Sequence, residues 1–249
     1  MKRSGSTQSG YVRAWRRAAA PRVLVVAPHP DDDVLGCGGT LRRLAARGAR
    51  ISVLYVTDGS ASHVKSKRFP PAMLRAVREG EARDALRELA IRTSPRFLRA
   101  PDGKLAELGS SERDALAGAI ARAIDWRRAQ LLFTPWDRDP HPDHVATAGL
   151  VEQARRMCRR RPATFRYSVW LPVRGTAADA PRAAEATVRE IVLTPAEVDR
   201  KRAAIMRHRS QTSGLIDDDP DGFRIDASLL TQWLTPTERF FRSEPTSSG

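Results

Sequence analysis

The chain has 249 residues, of which 41% are hydrophobic and 29% charged, and its formal net charge at pH 7 is +14. This composition is typical of a soluble protein with a substantial core, and no apolar run approaches the ~18 residues of a transmembrane segment. The basic residues are mostly arginine. That bias fits the codon usage of a GC-rich genome, and it also fits a surface for nucleic acid, an anionic substrate or an anionic membrane.

The termini and the cysteines bear on the setting of the protein. Two cysteines, Cys37 and Cys158, cannot form a disulfide framework, so we expect a reducing compartment, the cytoplasm. Residues 1–20 are basic and lack the apolar core of a secretory signal. We expect a flexible arm there, although an acid-free start also resembles an organelle transit peptide. Residues 21–242 are predicted to form a single domain, and residues 243–249 a disordered tail.

The first two thirds of the chain alternate between predicted strands and helices. An apolar run at residues 23–27 predicts a strand buried on both faces, and a helix then ends near Gly48 before a second strand at residues 51–57. This order is a βαβ unit, which predicts parallel strands. The same pattern continues with a helix at 72–89, a strand at 96–99, a helix at 111–124, a strand at 130–134 and a helix at 145–159.

The last third is less regular. We predict strands at residues 167–173 and 187–193, with a loop at 174–184 between them. A further helix should begin after the Thr194 cap, because proline follows that threonine and Glu197 completes a capping box. It should extend to about residue 208.

The first predicted strand leads directly into the sequence HPDDD, residues 29–33, followed by GCGG at residues 36–39. Ligands of open α/β sheets bind beyond the carboxyl ends of strands. The spacing of His29 and Asp32 can direct an imidazole and a carboxylate at one point, while Asp31 points elsewhere. Helix capping would use only one of three adjacent acids, so a cation is expected among them. The glycines match no complete phosphate-binding motif and favour close packing of helix on strand.

A second polar cluster, TPWDRDPHPDH at residues 134–144, also directly follows a predicted strand. The two clusters together offer a histidine and a carboxylate from one turn and a histidine from the other. Two histidines and one carboxylate form a catalytic zinc set with an open fourth position, and the same set suits Fe(II). The remaining acids can supply a base and groups that orient the ligands.

These motifs resemble those of the LmbE-like or PIG-L family of N-acetylglucosaminyl deacetylases. HPDDD with GCGG and the later HPDH are specific to it, while VTDG, REGEA, PDG and KRAAIMRHRSQ, at residues 56–59, 78–82, 101–103 and 201–211, follow in the family's order. The resemblance covers residues 22–211. It implies a Rossmann-like, mostly parallel sheet flanked by helices and a zinc-dependent hydrolase that releases acetate from an N-acetylated sugar or glycoconjugate.

The resemblance also implies roles for individual residues. His29, Asp32 and His144 correspond to the metal ligands, and Asp31 to the general base that activates water. His141, as an imidazolium, would stabilise the oxyanion or protonate the leaving amine, with Asp143 tuning it. The family usually has Glu where this chain has Asp33. Candidate substrate contacts are Arg78, His63 and His208, each with a structural role as the alternative.

Two alternative functions are also compatible with the sequence. One is a metal-dependent amidase that acts on a larger conjugate. The other is a non-catalytic basic α/β protein that binds nucleic acid or an anionic glycan, although a structural zinc site usually closes all four positions with protein ligands. We expect a small-molecule substrate, no specific nucleic acid, no transmembrane segment and, at most, peripheral contact with a membrane. Oligomeric state is not readable from the sequence.

Overall fold

A computed structural model describes residues 20–242 of the chain. The predicted arm, apart from Ala20, and the predicted tail lie outside this range. The described residues form a seven-stranded sheet in the order β3-β2-β1-β4-β5-β7-β6. The strands are β1 (Arg22–Ala27), β2 (Arg50–Thr57), β3 (Arg96–Ala100), β4 (Leu131–Pro135), β5 (Ala163–Tyr167), β6 (Thr187–Val192) and β7 (Thr237–Phe241).

Strands β1 to β5 are parallel, and β7 is antiparallel to both β5 and β6. The α-helices in the described range are α1 (Asp32–Ala46), α2 (Pro71–Glu88), α3 (Ser110–Trp126), α4 (Pro142–Met157), α5 (Leu171–Arg174), α6 (Asp179–Ala186), α7 (Pro195–Ile205), α8 (Arg209–Thr212) and α9 (Ala227–Trp233). A single 3₁₀ turn, Leu105–Glu107, precedes α3. None of the described helices has the length and apolar character needed to cross a bilayer.

The core lies in two layers, one on each face of the sheet. Alternate residues of β1 point to opposite faces, so Val23 and Val25 join one apolar cluster while Leu24 and Val26 join the other. Helices α1, α2 and α7 cover the first face, and α3 and α4 cover the second. Because β1 is buried on both sides, its sequence is continuously apolar rather than alternating.

The strand order creates a crevice above β1 and β4. Chain connections leave β1 toward β2 on one side, whereas β4 lies on its other side, so the sheet changes direction between these two strands. Ligands of open α/β sheets bind at such a point, beyond the carboxyl ends of the strands. Both polar clusters of the sequence follow these two strands.

The mixed α/β, mostly parallel fold class is confirmed, and most predicted elements lie within a few residues of the observed ones. The predicted strand at residues 167–173 is wrong, because β5 ends at Tyr167 and residues beyond Trp170 form α5. Pro172 lacks a ladder donor, and the main-chain amides of Val169 and Trp170 donate to Asp139 instead of to a strand. The predicted loop at 174–184 is also wrong in part, since it contains most of α6.

Helix α1 is interrupted at Cys37, whose φ of −147° is not helical. Beyond this break the main-chain amides of Gly39 and Thr40 donate to the buried carboxylate of Glu238 at 2.9 and 2.8 Å. Glu238 also pairs with Lys201 at 2.8 Å. A carboxylate at the start of a helical segment satisfies amides that lack an intrahelical partner, so β7 fixes the helix that carries the aspartates.

Candidate metal and catalytic site

The two polar clusters meet in the crevice above β1 and β4. His29 and the aspartates that follow it form the turn into α1, and HPDH forms the turn into α4. The rings of His29 and His144 have their centroids 5.5 Å apart, although the residues are more than a hundred positions apart in the chain. The topology therefore brings together the residues that the sequence motifs predicted.

Three donor atoms converge on one point. The Oδ2 atom of Asp32 lies 2.9 Å from Nδ1 of His29 and 3.1 Å from Nε2 of His144. His29, Asp32 and His144 form one cluster able to hold a metal ion; His29, His141 and Asp143 form a second, overlapping one. The described residues therefore contain two overlapping sets of donor atoms, either of which could hold a metal ion.

The chemistry of the first set fits a divalent cation. Zinc lies about 2.0–2.2 Å from histidine nitrogen and carboxylate oxygen, so tetrahedral ligand atoms lie roughly 3.3–3.6 Å from one another. The distances around Asp32, 2.9 and 3.1 Å, are within a few tenths of an ångström of this range. Both ring nitrogens of the fully buried His144 face carboxylate oxygens, of Asp32 at 3.1 Å and of Asp139 at 3.2 Å, but neither contact has hydrogen-bond geometry. A cation would satisfy Nε2.

Carboxylates dominate the electrostatics of this cluster. Burial opposes a positive charge on His144, but Asp32 and Asp139 outweigh it and raise the pKa of this histidine to about 9. Burial likewise opposes protonation of His29, whose pKa is nevertheless raised well above its usual value by Asp32, Asp102 and Asp143. The carboxylates favour positive charge in this cluster. In the metal-free protein, protons on His29 and His144 supply it, and a metal cation would compete with them for the ring nitrogens.

A second carboxylate faces the other nitrogen of His144. Nδ1 of His144 lies 3.2 Å from Oδ1 of Asp139. Asp139 is itself held by Ser168 and by the main-chain amides of Val169 and Trp170 at 2.5, 2.8 and 3.1 Å. Such carboxylate partners orient metal-binding histidines and increase their basicity. The sequence motifs did not identify Asp139 as a partner of a candidate metal-binding histidine.

Asp31 points away from the donor set, as its place between His29 and Asp32 predicted. Its Oδ2 atom accepts a hydrogen bond of 2.9 Å from Nη2 of Arg78, which also donates to the carbonyl of Gly59 at 2.8 Å. Asp31 is at the N-cap position of α1 but makes no side-chain capping bond. Burial raises the pKa of Asp31, although Arg78 opposes the increase. Capping therefore does not explain this residue.

His141 lies beside the donor set and is less buried than His144. The main-chain amide of Asp143 donates to Nδ1 of His141 at 3.2 Å, so a neutral ring carries its proton on Nε2. Burial and the charges of His29 and His144 lower the pKa of His141 to about 4. The metal-free surroundings therefore favour a neutral ring, and the imidazolium role that the family resemblance implied stays a prediction.

The carboxylate of Asp143 contacts His29 and a main-chain turn rather than the ring of His141. Its Oδ2 lies 3.2 Å from Nε2 of His29 and accepts from Gly103 N at 2.8 Å, while Oδ1 accepts from Leu105 N at 3.0 Å. Asp102 also reaches Nε2 of His29, at 3.0 Å. Asp102 is the second residue that the sequence motifs did not single out. Its position at the carboxyl end of β3, within the PDG motif, was the available signal.

The third aspartate of HPDDD points into the core. Oδ1 of Asp33 accepts a hydrogen bond of 3.0 Å from the hydroxyl of Tyr55, and burial raises the pKa of Asp33 to about 7. The glycines that follow allow close packing, as predicted. A Cβ atom on Gly36 would lie 2.2 Å from the Tyr167 ring, and one on Gly39 would lie 2.3 Å from Leu193.

The three candidate substrate contacts are all buried. Arg78 is 3% exposed and is engaged with Asp31, so it belongs to the site through that carboxylate. His63 packs against Gly222, where a Cβ atom would lie 2.1 Å from the ring. His208 is completely buried, and burial together with the charge of Arg78 lowers its pKa to about 3. Substrate contact by these residues stays a prediction.

Similar proteins were found by sequence and by structure. The chain is 31% identical over 157 residues to 1D-myo-inositol 2-acetamido-2-deoxy-alpha-D-glucopyranoside deacetylase of Mycobacteroides abscessus, a match covering 53% of this chain and 56% of that protein. The chain therefore spans about half the length of the curated relatives it matches. Conserved protein TT1542 from Thermus thermophilus is similar in structure, with a TM-score of 0.63, 27% identity and coverage of 91% and 96% of the two chains.

A second similar structure shows that this fold occurs with different chemistry. GalB, the 4-carboxy-2-hydroxymuconate hydratase of Pseudomonas putida KT2440, has a TM-score of 0.67 at 15% identity, covering 92% of this chain and 98% of its own. At this identity the likeness concerns the fold alone, and the fold does not select a reaction. The family model described as "GlcNAc-PI de-N-acetylase" matches residues 24–155, just over half of the chain, and this range contains both histidine motifs. The chain belongs to this family, PIG-L.

Proposed function

We propose that the protein is a zinc-dependent deacetylase, which hydrolyses the N-acetyl group of an N-acetylglucosamine-type sugar or glycoconjugate to a free amine and acetate. The observation that carries this proposal is the convergence of His29, Asp32 and His144 beside a separately held carboxylate, Asp31. Membership of the PIG-L family and the deacetylase names of relatives support the choice of reaction and of substrate class.

His29, Asp32 and His144 are the residues that would hold the ion, with Asp139 and Asp143 orienting the two histidines. Zinc bound by two histidines and one carboxylate polarises a carbonyl group and makes a water molecule more acidic. Fe(II) suits the same donors, so the native metal is itself part of the proposal.

In this proposal, Asp31 takes a proton and returns it. Arg78 fixes Oδ2, whereas Oδ1 has no hydrogen-bond partner among residues 20–242 and is available to accept a proton from water. As water attacks the acetamide carbonyl, Asp31 receives this proton and then delivers it to the departing nitrogen. A carbon–oxygen bond forms to the water oxygen, one proton passes through Asp31 from water to the departing nitrogen, and the carbon–nitrogen bond breaks. The products are the free amine and acetic acid, which becomes acetate by losing its remaining proton to solvent.

In this proposal, His141 stabilises the charge that forms on the carbonyl oxygen. Because Nδ1 accepts from the Asp143 amide, the Nε2 hydrogen of a neutral ring is free to donate. The ring is held by Trp170, with centroids 5.9 Å apart and planes inclined by 26°. A fixed donor directed at a developing oxyanion is a large contribution to catalysis in many enzymes.

The cysteines bear on the compartment in which we propose that the enzyme acts. Both cysteines are buried and unpaired, which suits a reducing compartment such as the cytoplasm. Residues 21–242 are proposed to act as one domain on a small N-acetylated substrate.

Acetate release from the chelated and the reloaded full-length protein tests the function. Zinc or iron is first measured in the purified protein, and N-acetylglucosaminyl-inositol, N-acetylglucosamine and sugars with bulkier N-acyl groups are then compared. The proposal expects metal-dependent acetate release, with N-acetyl preferred to larger acyl groups. Preference for bulky acyl groups would instead assign a general amidase, and absence of hydrolysis by the metal-loaded protein on every amide would refute the enzymatic proposal.

A further inference from the structure

Arginines are concentrated at the amino-terminal ends of the parallel strands, at the edge of the sheet opposite the site. Strands β1, β2, β4 and β5 begin level with one another, because Arg22 pairs with Arg50, Val23 with Leu131, and Leu131 with Ala163. The segments that lead into the parallel strands are residues 20–22, 47–50, 89–95, 127–130 and 158–162, and they contain no acidic residue. We call their nine arginines the basic edge: Arg22, Arg47, Arg50, Arg92, Arg127, Arg128, Arg159, Arg160 and Arg161.

These arginines lack carboxylate partners in the described chain. None of the nine forms an ion pair within residues 20–242, whereas arginines elsewhere, such as Arg43, Arg78 and Arg166, do. Arg22 and Arg161 donate to main-chain carbonyls, and the other guanidinium groups have no hydrogen-bond partner among the described residues. The charge of the basic edge is therefore available to an external anion.

Composition and helix ends do not account for this pattern. The whole chain has 29 acidic residues for 43 Lys and Arg. If composition alone set the sequence, segments that contain nine arginines would be expected to contain acidic residues as well. Helices α1 to α4 end at this edge, and one basic residue near each end complements the helix dipole. That effect favours some arginines but does not explain why acids are missing from all five segments. Asp125, in the last turn of α3, accepts from the main-chain amides of Arg159 and Arg160 rather than from their side chains.

Apolar side chains protrude from the same edge. Trp126, the last residue of α3, is 80% exposed, and Met157, the last residue of α4, is 55% exposed. Trp126 borders a cavity of about 420 Å³ that is also lined by Arg22, Arg50, Arg92 and Arg127. Its apolar walls come from Ala45, Ala49, Ile51, Ala90 and Ile91.

We propose that the basic edge docks on an anionic phospholipid bilayer, with lipid phosphates bound by its arginines and Trp126 at the depth of the headgroups. Tryptophan is enriched at membrane interfaces, and basic residues near an anionic leaflet each add attraction. Because four strands begin level, the edge can meet a plane with several segments at once. The candidate catalytic site, at the opposite edge, would then face away from the bilayer.

Nucleic acid fits this edge less well. Binding of single strands uses a series of aromatic side chains for base stacking, and duplex recognition uses an element that enters a groove. The basic edge presents one exposed aromatic residue, Trp126, and within the described range it consists of short turns rather than a protruding helix or ribbon. A positively charged surface with a few isolated exposed apolar side chains matches a lipid surface better than it matches nucleic acid.

Vesicle binding by the full-length protein tests the proposal. Co-sedimentation with phosphatidylglycerol–phosphatidylcholine vesicles is compared with pure phosphatidylcholine, using a Trp15→Phe background so that fluorescence reports on the described tryptophans. Trp136, Trp170 and Trp233 are 2%, 8% and 3% exposed, so a blue shift of emission on binding would come from Trp126. We expect binding only to anionic vesicles, with a shift that Trp126→Phe abolishes.

Two double variants that remove equal charge distinguish binding through the basic edge from general attraction of a positively charged protein to anionic vesicles. Arg159→Ser with Arg160→Ser should weaken vesicle binding by roughly 25-fold, since each basic residue near the surface is worth about fivefold in affinity. Arg202→Ser with Arg209→Ser removes equal charge from exposed positions of α7 and α8 and should have a much smaller effect. Equal weakening by both pairs, no vesicle binding, or preferential quenching of Trp126 by a single-stranded oligonucleotide would each overturn the proposal.

Discussion

Adjacent aspartates in the HPDDD motif have three different partners. Asp32 faces two histidines, Asp31 binds Arg78, and Asp33 accepts from Tyr55. The turn into α1 separates these side chains, which reduces the repulsion that three neighbouring carboxylates would otherwise cause. Each acid can therefore be tested by itself.

Replacing Asp31 with asparagine should separate catalysis from metal binding. The amide retains an oxygen for Arg78 but cannot accept a proton at neutral pH, and general-base catalysis contributes about 10²–10⁴-fold to rate. We expect kcat for acetate release to fall by that range while the zinc content stays unchanged. Asp58→Asn, whose native carboxylate binds only Ser60 in the described structure, is the control. Turnover within a few-fold of the unmodified enzyme would exclude Asp31 as the base.

Metal content can decide between the two overlapping donor sets. If His29, Asp32 and His144 hold the ion, His144→Gln should lose most bound zinc at equilibrium, whereas His141→Gln should retain it and lose turnover. Equilibrium dialysis against buffered zinc, followed by elemental analysis, gives both occupancies. Loss of metal in His141→Gln with retention in His144→Gln would favour the set that contains Asp143.

At the scale of elements, α1 depends on the absence of side chains at two glycines. Gly36 meets the ring of Tyr167, a fully buried residue whose hydroxyl donates to the carbonyl of Val26 at 3.1 Å. The ring therefore has little freedom to move. The approach of α1 to the sheet sets where the turn that carries His29 and Asp32 lies relative to β4.

Alanine at Gly36 should destabilise the protein, whereas alanine at Gly80 should not. Overpacking against Tyr167 is expected to cost about 1–3 kcal/mol of unfolding free energy. Gly80 lies inside α2, and a Cβ atom at this position would meet no other atom within 4 Å, so Gly80→Ala should stabilise by about 0.4–1 kcal/mol. Urea denaturation of both variants measures the difference. Equal effects would show that close packing at Gly36 does not constrain α1.

Sequence patterns predicted local elements better than distant contacts. Strand β1 and its turn were readable because a buried parallel strand is continuously apolar and the motif follows it directly. The contacts of Asp102 and Asp139 were not readable, since each faces a histidine that only the sheet order brings close. The apolar residues around Trp170 predicted a strand. The sequence pattern does not reveal that the carboxylate of Asp139 accepts a hydrogen bond from the main-chain amide of Trp170.

At the scale of the whole described fold, acidic and basic side chains are concentrated at opposite ends of the parallel strands. Buried carboxylates gather at the carboxyl ends of β1, β3 and β4, while the basic edge lies at the opposite ends. Concentrating acids in one crevice opposes folding unless positive charge binds there. Protonation of His29 and His144 supplies that charge in the metal-free protein, and a divalent cation can replace it.

Zinc should therefore stabilise the entire fold through this one site. A ligand that binds only the folded state adds about 2.7 kcal/mol to the unfolding free energy when its free concentration is 100 times Kd. We expect this increase in urea denaturation with buffered zinc, and its loss in His144→Gln. His63→Gln provides the control, because His63 is also a buried histidine but belongs to neither donor set. An undiminished increase in His144→Gln would place the stabilising zinc elsewhere on the chain.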